Sequence, residues 1–134
     1  DPAAPLRANA VRIVATRLAE LRDLAGPALA PEAAAAQHDL RIAAKRLRYV
    51  LELTEDCFGP EAVAARKLAK QMQGVLGDLH DCDVMLPSAA GIPSLQTRLR
   101  TRRELLFKQF AELWRERAEA TWLALERNLG SAVP

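Results

Sequence analysis

Apolar residues recur along this chain at helical spacing in four long runs, each closed by proline or glycine. Leu6, Ala10, Ile13, Val14, Leu18, Leu21 and Leu24 fall on one stripe at about 100° per residue, which predicts a first helix from about Pro5 to Ala25, stopped by Gly26-Pro27. A second helix is expected from Glu32 to Phe58, ended by Gly59-Pro60. A third runs from Glu61 to Met85 or Leu86, with Leu68, Met72, Val75, Leu76 and Leu79 as its buried side and Pro87 as its stop. The fourth and longest spans about Ser94 to Asn128, with Leu95, Leu99, Leu106, Phe110, Leu113, Arg117 and Ala124 recurring along one stripe. No strand pattern, low-complexity segment or internal repeat interrupts this order. Four helices joined by short loops predict an all-α fold, an antiparallel up-down-up-down bundle filling one domain, residues 1–134.

Composition agrees with that reading. Half of the residues are hydrophobic but only six are aromatic, an Ala-, Leu-, Arg- and Glu-rich mixture suited to helices rather than to a sandwich or barrel. No run approaches the ~18 apolar residues of a membrane span, and no signal-peptide pattern is read, so the expectation is a cytoplasmic location without a membrane. The chain starts at Asp1 rather than Met, so the expectation is a trimmed product, natural or engineered, or part of a longer protein. Cys57 and Cys82 have no metal-like spacing and read as inert thiols, although one disulfide would be possible.

Charge changes the picture through its distribution. The net charge is only +2, yet Arg41, Lys45, Arg46 and Arg48 place four cations in eight residues, with no acid between Arg41 and Tyr49. On a helix, His38, Arg41, Lys45, Arg48 and Tyr49 share about a quarter of the circumference, opposite Leu40, Ala43, Ala44, Leu47, Val50 and Leu51. Arg46 lies about 80° round from His38, toward the rim. Helix three adds Arg66, Lys70, Gln73, Gly77 and His80 along one side, and helix four adds Arg98 and Arg102 near its start. Arg17 falls inside the apolar stripe of helix one, either snorkelling to the edge or aimed into a polar interior. Guanidinium forks and ammonium groups gathered this way suit a repeated anion such as a phosphate chain, bound through a surface of helices two, three and four. Base reading is not favoured. Tyr49 is the one aromatic among the ribbons, Trp114 and Trp122 lie in a salt-balanced stretch and read as packing, and no helix-turn-helix spacing is present.

Two His-Asp dyads, His38-Asp39 and His80-Asp81, open an enzymatic alternative: a metal-dependent phosphohydrolase built on His38, His80 and Asp81. Adjacent helical residues point about 100° apart, so each dyad offers one ligand more readily than two. No Walker loop or nucleophile elbow is found. The main expectation is therefore no catalysis, no cofactor and no metal. Gly74 and Gly77 would let a helix or an extended anion approach closely. A third reading is a purely structural helical dimerisation module.

The stretch HDLRIAAKRLRYVLE, His38 to Glu52, followed further on by LAKQMQGVLGDLHDCDV, resembles the CHAD domain, the conserved histidine α-helical domain. The resemblance rests on His38, Arg41, Lys45, Arg46, Arg48 and Tyr49, then Gln73, Leu76, Gly77 and Asp81, and covers about residues 37 to 86 closely. It implies an all-helical module that binds inorganic polyphosphate through a basic surface, without catalysis, and association with polyphosphate granules. On that reading Arg41, Lys45, Arg48, Lys70 and Arg66 contact phosphate oxygens, His38 and Tyr49 donate hydrogen bonds, and Gln73, Arg46, Arg98, Arg102 and Arg17 are further candidates. Phosphate or sulfate ions would stand in for the polymer, and sequence-specific nucleic acid would not bind. The family usually carries two four-helix bundles in tandem with the anion between them. This chain has length for one, resembling the second half, so either it is a fragment or two copies pair as a homodimer that restores the channel.

Overall fold

The structure, a computed structural model, describes residues 4–132. Helix α1 spans Ala4–Ala28, α2 Ala34–Thr54, α3 Pro60–Met85 and α4 Pro93–Leu113; α4 continues through a π-helical turn, Trp114–Ala118, into α5, Glu119–Ala132. Single 3₁₀ turns follow α2 (Glu55–Cys57) and α3 (Pro87–Ala89). There is no strand among the described residues, and the helices pack together as the expected all-α bundle, α4 and α5 forming one long fourth helix.

Periodicity placed the elements correctly and missed some ends. Gly26-Pro27 does not stop α1, which runs on to Ala28. Pro27 lacks an N–H of its own, but the Leu29 amide still donates to the Ala25 and Gly26 carbonyls, so the turn beyond the proline closes. Helix α2 stops four residues before the expected Phe58. The Thr54 hydroxyl donates to the Val50 carbonyl at 2.6 Å, the chain tightens into the 3₁₀ turn, and Phe58 is extended. Gly59, before Pro60, is extended as well, and Pro60 opens α3 where a missing N–H costs nothing. The Asn128 side chain of α5 accepts from the Gly59 amide at 3.1 Å, tying the end of the chain to this turn. The last helix begins at Pro93 and passes Asn128 and Gly130 to reach Ala132.

The core is a continuous layer of leucine and alanine: Val14, Leu18 and Leu21 of α1, Leu40, Leu47 and Leu51 of α2, and Leu68, Met72 and Leu76 of α3. Phe110, Trp122 and Leu125 of the last helix close it. Alanines at 43, 44, 62, 65 and 69 let α2 and α3 approach closely, and these two helices form the most extensive pairing in the bundle. A smaller cluster, Leu79, Cys82, Ala89, Leu99 and Leu106, seats the start of α4 on the end of α3. Two residues of the expected α1 stripe face outward instead, Leu6 at 62% exposure and Ile13 at 42%. The end of the last helix packs against α1, where Arg22 pairs with Glu126 at 3.0 Å.

A polar staple holds the α1–α2 connection. Gln37 is 1% exposed, and its amide nitrogen donates to the carbonyls of Ala28, Ala30 and Pro31. Its oxygen accepts from Arg103 Nη2 at 2.8 Å, and Arg103 also donates to the Pro31 carbonyl and pairs with Asp83. Three connected side chains thus satisfy one another and the loop carbonyls, which is how buried polar groups become tolerable. The chain pattern gave no signal for this network.

Candidate functional site

Helical spacing puts His38, Arg41, Lys45 and Arg48 of α2 along one edge of the α2–α3 pairing, and α3 runs antiparallel beside it. The two helices enclose an open groove of ≈ 360 Å³ lined by Arg41, Arg48, Lys70, Gln73, Gly74, Gly77, Asp78 and Asp81. Its closest point is at Gly77. A Cβ there would stand 3.3 Å from Arg41 Nε, so the Arg41 side chain crosses α3 over a position that has no side chain of its own. Glycine inside a helix costs about 1 kcal/mol relative to alanine, and at Gly77 the passage of Arg41 accounts for it.

At one end of the groove the imidazoles of His38 and His80 stack, with centroids 4.3 Å apart and planes 24° from parallel. At the other end Tyr49, 46% exposed, carries cations on its ring: the Arg48 guanidinium lies 4.7 Å and the Lys45 ammonium 5.6 Å from its centroid. The charge is graded along α3. Lys70 lies toward the Arg48 end, and Asp78 and Asp81 lie toward the histidines. From the sequence, Asp81 enters only as part of the hydrolytic alternative and of the family motif, and Asp78 is not a candidate at all, since nothing in its spacing marks it as facing a cationic wall.

Four polar atoms around this groove are buried and have no hydrogen-bond partner: His38 Nδ1, Arg41 Nε, Arg48 Nε and Gln73 Oε1. Arg48 Nε lies 3.5 Å from Glu52, an ion pair without an aligned hydrogen bond. A buried unmet group costs about 1–3 kcal/mol, so four in one groove point to an outside partner. Turning the Gln73 amide about its last bond would present its NH₂ instead. Trp122 Nε1 is also unpartnered but sits in the core, 6.5 Å from Trp114 by ring centroid.

The other expected cations are spread elsewhere. Arg66 donates to Glu55 at 2.6 Å, so an acid from the turn after α2 already holds it. Arg17 grips Glu20 one turn away at 3.0 Å and lies at the edge of α1 rather than pointing into an interior. Arg46 lines a shallow depression between α1 and α2 with Glu20, Leu24 and Asp39. Arg98 and Arg102 flank Leu105 on α4 outside the groove, with Arg102 reaching to 4.0 Å of Asp78. The basic wall is therefore built by α2 and α3, and α4 touches it only through that Arg102–Asp78 approach. A larger depression of ≈ 520 Å³ between the α1–α2 loop and α4 includes Asp83 and Arg103, whose polar groups pair with each other and with Gln37.

The histidines of the two His-Asp dyads meet, but their aspartates do not: Asp39 faces the α1 side while Asp81 lines the groove. No group of three or more His, Cys, Asp and Glu is placed to hold a metal ion among the described residues. Cys57 and Cys82 are both free thiols. Burial pushes the Cys82 thiol pKa up, opposed by the nearby Arg102 charge. No helix among the described residues is long and apolar enough to cross a membrane.

A family model described as the CHAD domain matches residues 1–90. The match takes in α1, α2, α3 and the following turn, hence every residue lining the groove, and stops short of Arg98 and Arg102. Neither a curated protein nor a solved structure matches the chain.

Proposed function

The chain belongs to the CHAD domain family, and from that premise we propose that it binds inorganic polyphosphate in the α2–α3 groove and performs no chemistry on it. The observation that carries this reading is the set of buried, unpartnered groups converging there, Arg41 Nε and Arg48 Nε foremost. Phosphate oxygens are strong acceptors that meet guanidinium donors in pairs. Lys45 and Lys70 add mobile positive charge at the groove's edges, and the His38 imidazole and Tyr49 hydroxyl supply further donors. A linear chain of phosphates repeats its charge along the groove as the cations repeat along α2. Arg66 and Arg17, hydrogen-bonded to acids of this chain at 2.6 and 3.0 Å, are secondary to Arg41, Lys45 and Lys70 and to Arg48, whose 3.5 Å ion pair with Glu52 leaves its Nε without a hydrogen bond.

The test is a titration of long-chain polyphosphate against duplex DNA of matched charge, at several salt concentrations. Tight binding of polyphosphate, weakening linearly on a log–log salt plot, is the expected result. Equal affinity for both polymers, or none at physiological salt, overturns it. Orthophosphate release on adding Mn²⁺ would instead favour the hydrolytic alternative. Association with polyphosphate granules, and pairing of two copies over the groove's open side, belong to the same proposal. Light scattering with and without polyphosphate reads the pairing directly.

A further inference from the structure

We propose that Gly74 sets the depth of the α2–α3 groove and with it the preference for a bare phosphate chain over a nucleic acid duplex. The inference rests on the polyphosphate reading and names the residue that makes the groove selective. Gly74 lies deep inside α3, fourteen residues after Pro60 and eleven before Met85, where glycine is the poorest choice after proline. Packing within the chain does not ask for it. A Cβ built at Gly74 meets nothing within 4 Å, whereas one at Gly77 meets Arg41 and one at Gly59 meets Glu61 and Asn128. Gly26 and Gly130 also have open space, but they sit in the last turns of α1 and α5, and Gly91 lies in a turn between helices. Gly74 is therefore a glycine in the middle of a helix with no internal reason to be one.

A second observation ties that space to a ligand. Gly74 lines the same groove as Arg41, Arg48 and Gln73, which carry unpartnered Nε and Oε1 atoms. It lies one turn from Lys70 on one side and one turn from Asp78 on the other, at the junction of the basic and acidic parts of α3. A phosphate chain resting on the exposed helix backbone at Gly74 would reach the guanidinium wall and Lys70 together. A duplex carries its phosphates on the outside of a wide cylinder and cannot lower them to that floor. It would meet only exposed rim cations such as Lys45 and Lys70.

The experiment compares wild type, Gly74→Ala and Gly74→Leu, with Arg41→Ala/Lys45→Ala as the control for the underlying reading. Each is measured for helicity, melting temperature and affinity for long-chain polyphosphate and for duplex DNA at low salt. Expected is a Gly74→Leu protein that folds and melts no lower than wild type, with polyphosphate affinity reduced about tenfold or more and duplex affinity unchanged. Gly74→Ala should fall between. Wild-type polyphosphate affinity in Gly74→Leu alongside a loss in Arg41→Ala/Lys45→Ala overturns the role of Gly74 and leaves the polyphosphate reading standing. Undiminished binding in the double variant removes the reading and the inference with it. A parallel loss for both polymers overturns the selectivity, and a Gly74→Leu protein that fails to fold contradicts the open space on which it stands.

Discussion

The Arg41 side chain passes over Gly77 so closely that a Cβ on that glycine would lie 3.3 Å from Arg41 Nε. Gly77→Ala removes a helix-breaking residue, which favours the fold by up to about 1 kcal/mol. It also forces Arg41 to shift by a few tenths of an ångström. Thermal unfolding should show stability unchanged or raised, while polyphosphate titration shows affinity reduced severalfold. A variant with wild-type affinity would mean that Arg41 need not lie where it does.

The cations divide into those free to meet a ligand and those already engaged, and the division can be read from salt dependence. Arg41→Ala with Lys45→Ala should lower polyphosphate affinity and flatten the log–log salt slope by about 1.4, roughly 0.7 for each lost contact. Arg66→Ala breaks the pairing with Glu55. Its expected effect is a loss of about 1 kcal/mol in stability with little change in slope. An Arg66 variant that flattens the slope as much as the double variant would place Arg66 in the site.

The Gln37–Arg103–Asp83 network should behave as a structural unit. Arg103→Ala leaves the Gln37 oxygen and the Asp83 carboxylate without their partner, at a cost of about 1–3 kcal/mol. Urea unfolding should record that loss with an unchanged m-value, and polyphosphate affinity should stay at the wild-type level. Because Gln37 and Arg103 share one network, Gln37→Leu with Arg103→Leu should lose less than the two single losses added together.

Cys82 is 3% exposed, and burial raises its thiol pKa, so the native protein disfavours the thiolate. Below the ordinary thiol range both folded and unfolded chains keep the proton, and the group is neutral to stability. As pH climbs past that range the unfolded thiol ionises first, and stability falls until the folded thiol ionises too. Stability measured across the alkaline range should fall more steeply in wild type than in Cys82→Ala. In the native protein at mildly alkaline pH, an alkylating reagent should label the half-buried Cys57 well before Cys82.

Local pattern was enough for the fold class and for the two ribbons of the site. A 3.6-residue apolar period needs only neighbours along the chain to be visible, and so do stops such as Gly59-Pro60 and Pro87. The same period put His38, Arg41, Lys45 and Arg48 on one face, because residues three and four apart share a face in any helix. The Arg17–Glu20 pair is equally local, one turn apart on α1, so that the cation inside the apolar stripe has its acid on the same helix.

What only the tertiary structure decided is which groups meet across helices. Arg66 meets Glu55 because the turn after α2 folds back on α3. Arg103 meets Gln37 across 66 residues of sequence, and the stacking of His38 on His80 depends on the register of α2 against α3. Periodicity fixes the face a residue occupies but not the axial offset between two helices. That offset is set by how small and large side chains interlock over the whole interface. The basic face of α2 was thus determined by sequence alone. Its depth at Gly74, its crossing point at Gly77, and the pairing of Arg66 with Glu55 came from the packing of α2 on α3.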